Sequence, residues 1–161
     1  MENLFDIDLK VKRIRRNSYY NGLLQNLFAG SESATNSVLQ YSYNANILAP
    51  FYPEITNEFY EIVFDEIKIH YILSQLILLT GGDPIYSNAQ GKWLGGRSVD
   101  YVKDIKQLIS LSVENIEKLI IDYKTVQSKI DDNEIKKYLS YILEIENNNR
   151  LKLLKLRKRF S

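Results

Sequence analysis

Along four stretches of the chain, apolar or small residues return every three or four positions, the spacing of one buried helix face. The first stretch runs from Ser18 to Leu48, with Leu24, Leu27, Ser31, Ala34, Val38, Tyr41, Ala45 and Leu48 on its stripe and no charge interrupting it. The second starts at Pro53, a favourable first-turn residue, and stops at Gly81-Gly82, with Pro84 just beyond. Its stripe is Phe59, Ile62, Glu66, Ile69, Leu73, Leu76 and Thr80. The third starts from Ser98 or Asp100 as N-cap and carries Ile105, Ile109, Ser112, Ile116, Leu119, Tyr123 and Val126. The fourth follows "KIDDNE", with Asp132 as its cap, and carries Ile135, Leu139, Ile142, Glu146, Asn149 and Leu153.

The two outer connections are short, so the helices pair as two antiparallel hairpins. Between the hairpins lies "GGDPIYSNAQGKWLGGRSV", a run of turn chemistry at about 81–100. Extended, it reaches about 60 Å, more than the roughly 40 Å of a helix of about 27 residues. It can run the length of a bundle, which an up-down-up-down arrangement would not need. The expected architecture is all-α: an antiparallel four-helix bundle in one domain over 1–161, with its core at about 18–157 and a basic arm at 1–17.

Composition narrows the chemistry. At 161 residues the chain can bury a sizeable core, and 21 basic against 20 acidic side chains give no field that would recruit nucleic acid. Without cysteine, disulfides, thiolate metal sites and a cysteine nucleophile are excluded, which fits a reducing cytoplasm. No apolar run approaches the roughly 18 residues of a membrane span, and the first residues do not have the pattern of a secretory signal. A cytoplasmic protein is expected, and the heavy use of Ile, Lys, Asn and Tyr suggests an A+T-rich bacterial genome.

The hairpins read as copies. Tyr41 follows Ala34 by the same interval as Tyr123 follows Ile116, and Glu66 precedes Ile69 as Glu146 precedes Asn149. In a bundle these stripes converge on one central volume, where such folds build metal sites. With these features, "FAGSESATNSVLQYSY", "FDEIKIHYILSQLILLTGGDP", "GKWLGGRSVDY" and "LIIDYKTVQSKIDDNEIKKYLSYILEIENNNRLKLL" together resemble the ferritin-like dimetal-carboxylate proteins, especially the rubrerythrin-like and bacterioferritin-like ones.

The resemblance implies a Glu from each of the first and third helices and a Glu-x-x-His from each of the second and fourth, holding two metal ions. Carried over residue by residue, the single-Glu positions fall on Ala34 and Ile116. Glu66 and Glu146 keep the Glu of the paired motif, and its His positions fall on Ile69 and Asn149. His70, the only histidine, is one residue past the expected position, a rotation of about 100°. A rearranged metal site of Glu66, Glu146 and His70 is the alternative to a boundary histidine with ordinary hydrogen bonds. Glu32 is kept out by a helix rotation that would expose Leu27 and Val38, and Glu114 and Glu117 read as solvated face.

Two core carboxylates without cations cannot both stay ionised cheaply. They can share a proton, accept hydrogen bonds from a polar network of Tyr41, Tyr123 and Asn149, or retain a single metal ion. The basic runs "KVKRIRR" and "RLKLLKLRKR" are expected at opposite ends of the bundle, the second favoured by its helix dipole. The expected function is therefore a non-catalytic structural, scaffolding or binding protein with no cofactor, forming a homodimer or pairing with another ferritin-like protein. The alternative is a residual iron or manganese oxidoreductase handling oxygen or peroxide. A third reading places a small molecule in the space left by the metals, although Ile69 and Ile116 would fill most of it.

Overall fold

The computed structural model describes residues 14–161; most of the basic arm expected at 1–17 lies outside the described residues. The helices are α1 (Ser18–Ala29), α2 (Ala34–Leu48), α3 (Pro53–Leu79), α4 (Ile105–Ser128) and α5 (Asn133–Phe160), and no strand occurs among the described residues. No helix among them is long and apolar enough to cross a membrane.

The first rod is not the single helix that its stripe predicts. It breaks at Gly30–Ser33, because the segment satisfies both new helix ends locally. The Ser33 side chain accepts from Asn36 N–H (3.2 Å), starting α2, and the Thr35 hydroxyl donates to the Phe28 carbonyl (2.7 Å), closing α1. Gly30 fits there because a Cβ would lie 2.5 Å from the Asn26 carbonyl oxygen. The break turns Ser31 out to solvent and leaves Val38 half-buried, while Ala34, Tyr41, Ala45 and Leu48 stay in the core.

Elsewhere the boundaries follow local chemistry. Pro53 opens α3, and Gly81 ends it at φ +94°, a conformation that favours glycine. Asp132 caps α5 by accepting from Glu134 and Ile135 N–H (2.9 and 3.0 Å). The cap of α4 is Asp104, which accepts from Gln107 N–H (2.9 Å), and not Ser98 or Asp100. Both of those residues remain in the crossover, held against α2.

The crossover runs the length of the first rod. Asn17 N–H donates to the Thr80 carbonyl (3.0 Å), joining the start of α1 to the end of α3. Gln25 Nε2 then donates to the Ile85 and Ser87 carbonyls (2.7 and 2.6 Å), and Ala89 N–H donates to Asn26 Oδ1 (2.9 Å). After one 3-10 turn at Gly95–Ser98, Asp100 is clasped by buried Gln40: its N–H donates to Oε1 (2.6 Å), and Nε2 donates to its carbonyl (3.1 Å). α4 descends from there, with Asn44 donating to Ser112 (3.0 Å) near its top and Asp131 N–H donating to Tyr20 (3.0 Å) at the bottom.

α5 returns upward until Phe160 meets Tyr52 edge-on and Arg159 pairs with Glu58 (3.2 Å). Its basic end is thus at the opposite end of the bundle from Arg16, which packs on Gly81. All four rods run antiparallel to their neighbours around one apolar core. The Gln40 clasp should matter most to the long connection. Gln40→Leu leaves two backbone groups without partners, so we expect a loss of about 2–4 kcal/mol. Thermal denaturation should show the midpoint falling by roughly 5–15 °C.

Candidate site in the bundle core

Each rod contributes buried inward side chains to the core. Ala34 from α2, Ile69 from α3 and Ile116 from α4 are fully buried, as are Glu66 on α3 and Glu146 and Asn149 on α5. Tyr41 and Tyr123 lie alongside, both buried. Helical periodicity explains the convergence: Glu66 and Ile69 share the stripe that seats α3 in the core, and Glu146 and Asn149 share that of α5.

Among the described residues, eight buried side-chain polar atoms have no hydrogen-bond partner, and seven of them are in this cluster. They are both oxygens of Glu66 and of Glu146, both amide atoms of Asn149, and the Tyr123 hydroxyl; the eighth is Asn36 Oδ1. Asn149 is in side-chain contact with Asp65, whose pKa it lowers, and the carboxyl groups of Glu66 and Glu146 meet one another, so what the orphaned oxygens lack is a donor, which a proton on the pair would supply. Buried Gln25, Gln40 and Asn44 near the crossover and α4 are fully engaged by contrast.

The electrostatics follow from burial. Desolvation raises Glu66 well above the ordinary carboxylate range, helped by the nearby charges of Glu146 and Asp65. Desolvation likewise pushes Glu146 up to about 8, opposed by its contact with Glu66. As two carboxylates the pair has acceptors only and repels; one proton between them turns one acid into a donor to the other. The proton belongs to the pair and not to either residue. Burial, and then these same charges, raise Tyr41 and Tyr123 well above the usual phenol range, so both keep their O–H. Asp65, half-buried at the rim, is raised by burial despite Lys152 (3.8 Å), which also pairs with Glu61 (3.2 Å).

His70 is elsewhere. Its ring packs against Phe28 (4.2 Å between centroids) and Tyr86 (5.6 Å), which also touch each other (5.7 Å) in a three-ring cluster, and burial lowers its pKa. It lines a cleft of about 310 Å³ between α2, α3 and the crossover, which opens outward with Val38, Leu39 and Ile67. The expectation of ordinary hydrogen bonds is replaced by ring contacts. Nothing in the spacing of the sequence pointed to this cleft, which exists because the crossover brings Tyr86 to α3. Glu32 is half-buried in the break between α1 and α2, so no helix rotation decides its position. Glu114 is exposed, and Glu117 pairs with Arg150 on α5 (3.0 Å).

A pair of metal ions would find two carboxylates here and no imidazole. Among the described residues, no three acidic, histidine or cysteine side chains are grouped to hold a metal ion. The cluster offers two carboxylates and one neutral amide, with apolar Ala34, Ile69 and Ile116 buried beside them, so the residues present do not fit a dimetal centre.

Because both folded-state pKa values lie above those of the unfolded chain, the folded protein binds more protons between roughly pH 4.3 and about 8. The stability this gives is complete below that window and is lost as pH rises through the raised pKa values, Glu146 near 8 and then Glu66. Chemical denaturation of metal-free protein should thus give a lower midpoint at pH 9 than at pH 5. In Glu66→Gln with Glu146→Gln the decline should flatten, and that variant should be the more stable by about 1–4 kcal/mol at alkaline pH.

Comparison with known proteins places the fold. Crystal structures of KatB, a manganese catalase from Anabaena, superpose with a TM-score of 0.85 at 15% sequence identity, covering 91% of this chain and 74% of that one. The chain therefore has the ferritin-like four-helix-bundle fold. No protein-family model and no curated protein matches the sequence.

Proposed function

We propose that this ferritin-like bundle has lost the dimetal centre associated with its fold and works as a non-catalytic structural, scaffolding or binding component. One observation carries the reading. Glu66 and Glu146 face one another in the core while Ala34, Ile69, Ile116 and Asn149 occupy the remaining inward positions. Three of those four side chains cannot ligate a metal, and the fourth is a weak neutral donor. A protonated carboxyl pair occupies the core without any metal ion. The absence of cysteine accords with a bacterial cytoplasm. The protein would act through its outer faces, as a homodimer or paired with another ferritin-like protein.

A second reading rests on the seven orphaned core atoms and on the manganese catalase neighbours. Glu66, Glu146 and Asn149 would then hold a residual iron or manganese ion, in an oxidoreductase handling oxygen or peroxide. His70 is left out of this reading, because its ring packs against Phe28 and Tyr86 and it is not grouped with the two acids.

Metal analysis separates the two readings. Protein purified anaerobically with iron and manganese supplied should retain far less than one ion per chain, release no dioxygen from peroxide, and show the same thermal midpoint with or without chelator. Near-stoichiometric metal that disappears in Glu66→Gln with Glu146→Gln would overturn the non-metal reading.

A further inference from the structure

One charge run plays no part in the core. After Glu146 the chain carries six cations and no acid. Three of them are matched: Arg150 pairs with Glu117, Lys152 with Glu61 and Asp65, and Arg159 with Glu58. Lys155, Arg157 and Lys158 are exposed, and no acid among the described residues pairs with them.

Two other segments meet α5 at this end of the bundle. α4 starts there, with Lys103 just before its Asp104 cap and Lys106 in its first turn, both exposed. The turn between α2 and α3 is there as well, because its Tyr52 packs edge-on to Phe160 (5.9 Å between centroids). That turn projects Phe51, 76% exposed and the most exposed large apolar side chain among the described residues. Its position is fixed: Phe51 and Tyr52 N–H both donate to the Leu48 carbonyl (3.0 and 2.8 Å), and Pro50 and Pro53 flank the pair.

Helix stability accounts for only part of this. Cations in the last turn of α5 suit its dipole, but Lys103 and Lys106 stand at the N-terminus of α4, where the dipole disfavours positive charge. Nor does the fold gain from a phenyl ring held in water. We propose that this end of the bundle docks on an anionic lipid surface, with Phe51 entering the headgroup region and the surrounding cations meeting the lipid head groups. The cations stand on two helices around one projecting ring, which suits a flat and diffuse field of negative charge. An acidic protein segment would match the charge but would also need a pocket for Phe51, whereas a bilayer interface accepts a single apolar side chain without one. Each Lys or Arg near an acidic membrane gives about fivefold in affinity. Lys103, Lys106, Lys155, Arg157 and Lys158, opposed by exposed Glu54 and Asp104, leave an excess of three. Acidic vesicles should therefore be preferred to neutral ones on the order of 100-fold.

This surface lies outside the core, so metal content has no bearing on its test. The full chain should sediment with vesicles of phosphatidylcholine containing about one-third phosphatidylserine, and not with phosphatidylcholine alone. Salt at about 0.5 M should release it, because the charges are then screened within a few ångströms. Arg157→Gln with Lys158→Gln should weaken binding roughly 25-fold. Phe51→Ser should weaken it several-fold and leave the salt dependence unchanged. Arg15→Gln with Arg16→Gln makes the same charge change at exposed positions at the opposite end and should leave binding as it was. Equal affinity for both kinds of vesicle, or none for either, would overturn the proposal. So would an equal loss in the Arg15/Arg16 variant, which would make net charge the cause. Binding to polyglutamate as tight as to the acidic vesicles, and indifferent to Phe51→Ser, would overturn it in favour of an acidic protein partner. The comparison of the two vesicles uses unaltered protein and stands whatever the stability of the variants.

Discussion

A carboxyl group at the centre of an apolar bundle has to be neutral, hydrogen-bonded or matched by a cation, because an isolated buried charge costs several kcal/mol even after relaxation. Here two such groups, Glu66 and Glu146, sit on opposite hairpins and are wholly removed from water. Any closure of α2–α3 on α4–α5 brings them together. The surrounding side chains fit a neutral pair better than an ionised one: Ala34, Ile69 and Ile116 offer no charge, and Tyr41 and Tyr123 are driven by burial to keep their protons. The cations nearest the core stay at its rim, where Lys152 is taken up by Glu61 and Asp65.

Outside that core, the two hairpins hold themselves differently. α4 and α5 form an ordinary solvated pair, rich in charge, with Arg150 and Glu117 bridging them. Neutral amides tie α1 to α3, where Asn21 donates to the Ile77 carbonyl, and α1 and α2 to the crossover, where Gln25 and Gln40 donate to backbone carbonyls and Asn26 and Gln40 accept from backbone N–H groups. This satisfies the polar backbone of a long loop without placing charge beside it.

Backbone similarity to a manganese catalase at 15% identity shows how little of this fold depends on particular residues. Four rods, two short turns and one long crossover are specified by apolar stripes, caps and turn residues. A function is set by the side chains at the centre and on the surface, and both can change while the backbone arrangement persists.

Much of the architecture was legible in the sequence, because helix faces, Pro53, Gly81 and the Asp132 cap act locally and their effects repeat with helical periodicity. The inward placement of Glu66, Ile69, Ile116 and Asn149 followed from the same periodicity. The break after Ala29 was not read, although "GSES" carries its signals: a glycine against the Asn26 carbonyl and a serine cap outweigh the continuity of the stripe. The start of α4 at Asp104 was missed because Ser98 and Asp100 are equally good caps by type, and only their bonds to Asn36 and Gln40 hold them in the crossover. Tertiary structure alone decided the orphaned state of Tyr123, the ring packing of His70 and the clasp of Asp100 by Gln40. Each depends on which side chains arrive from distant parts of the chain, and periodicity within one helix carries no information about that.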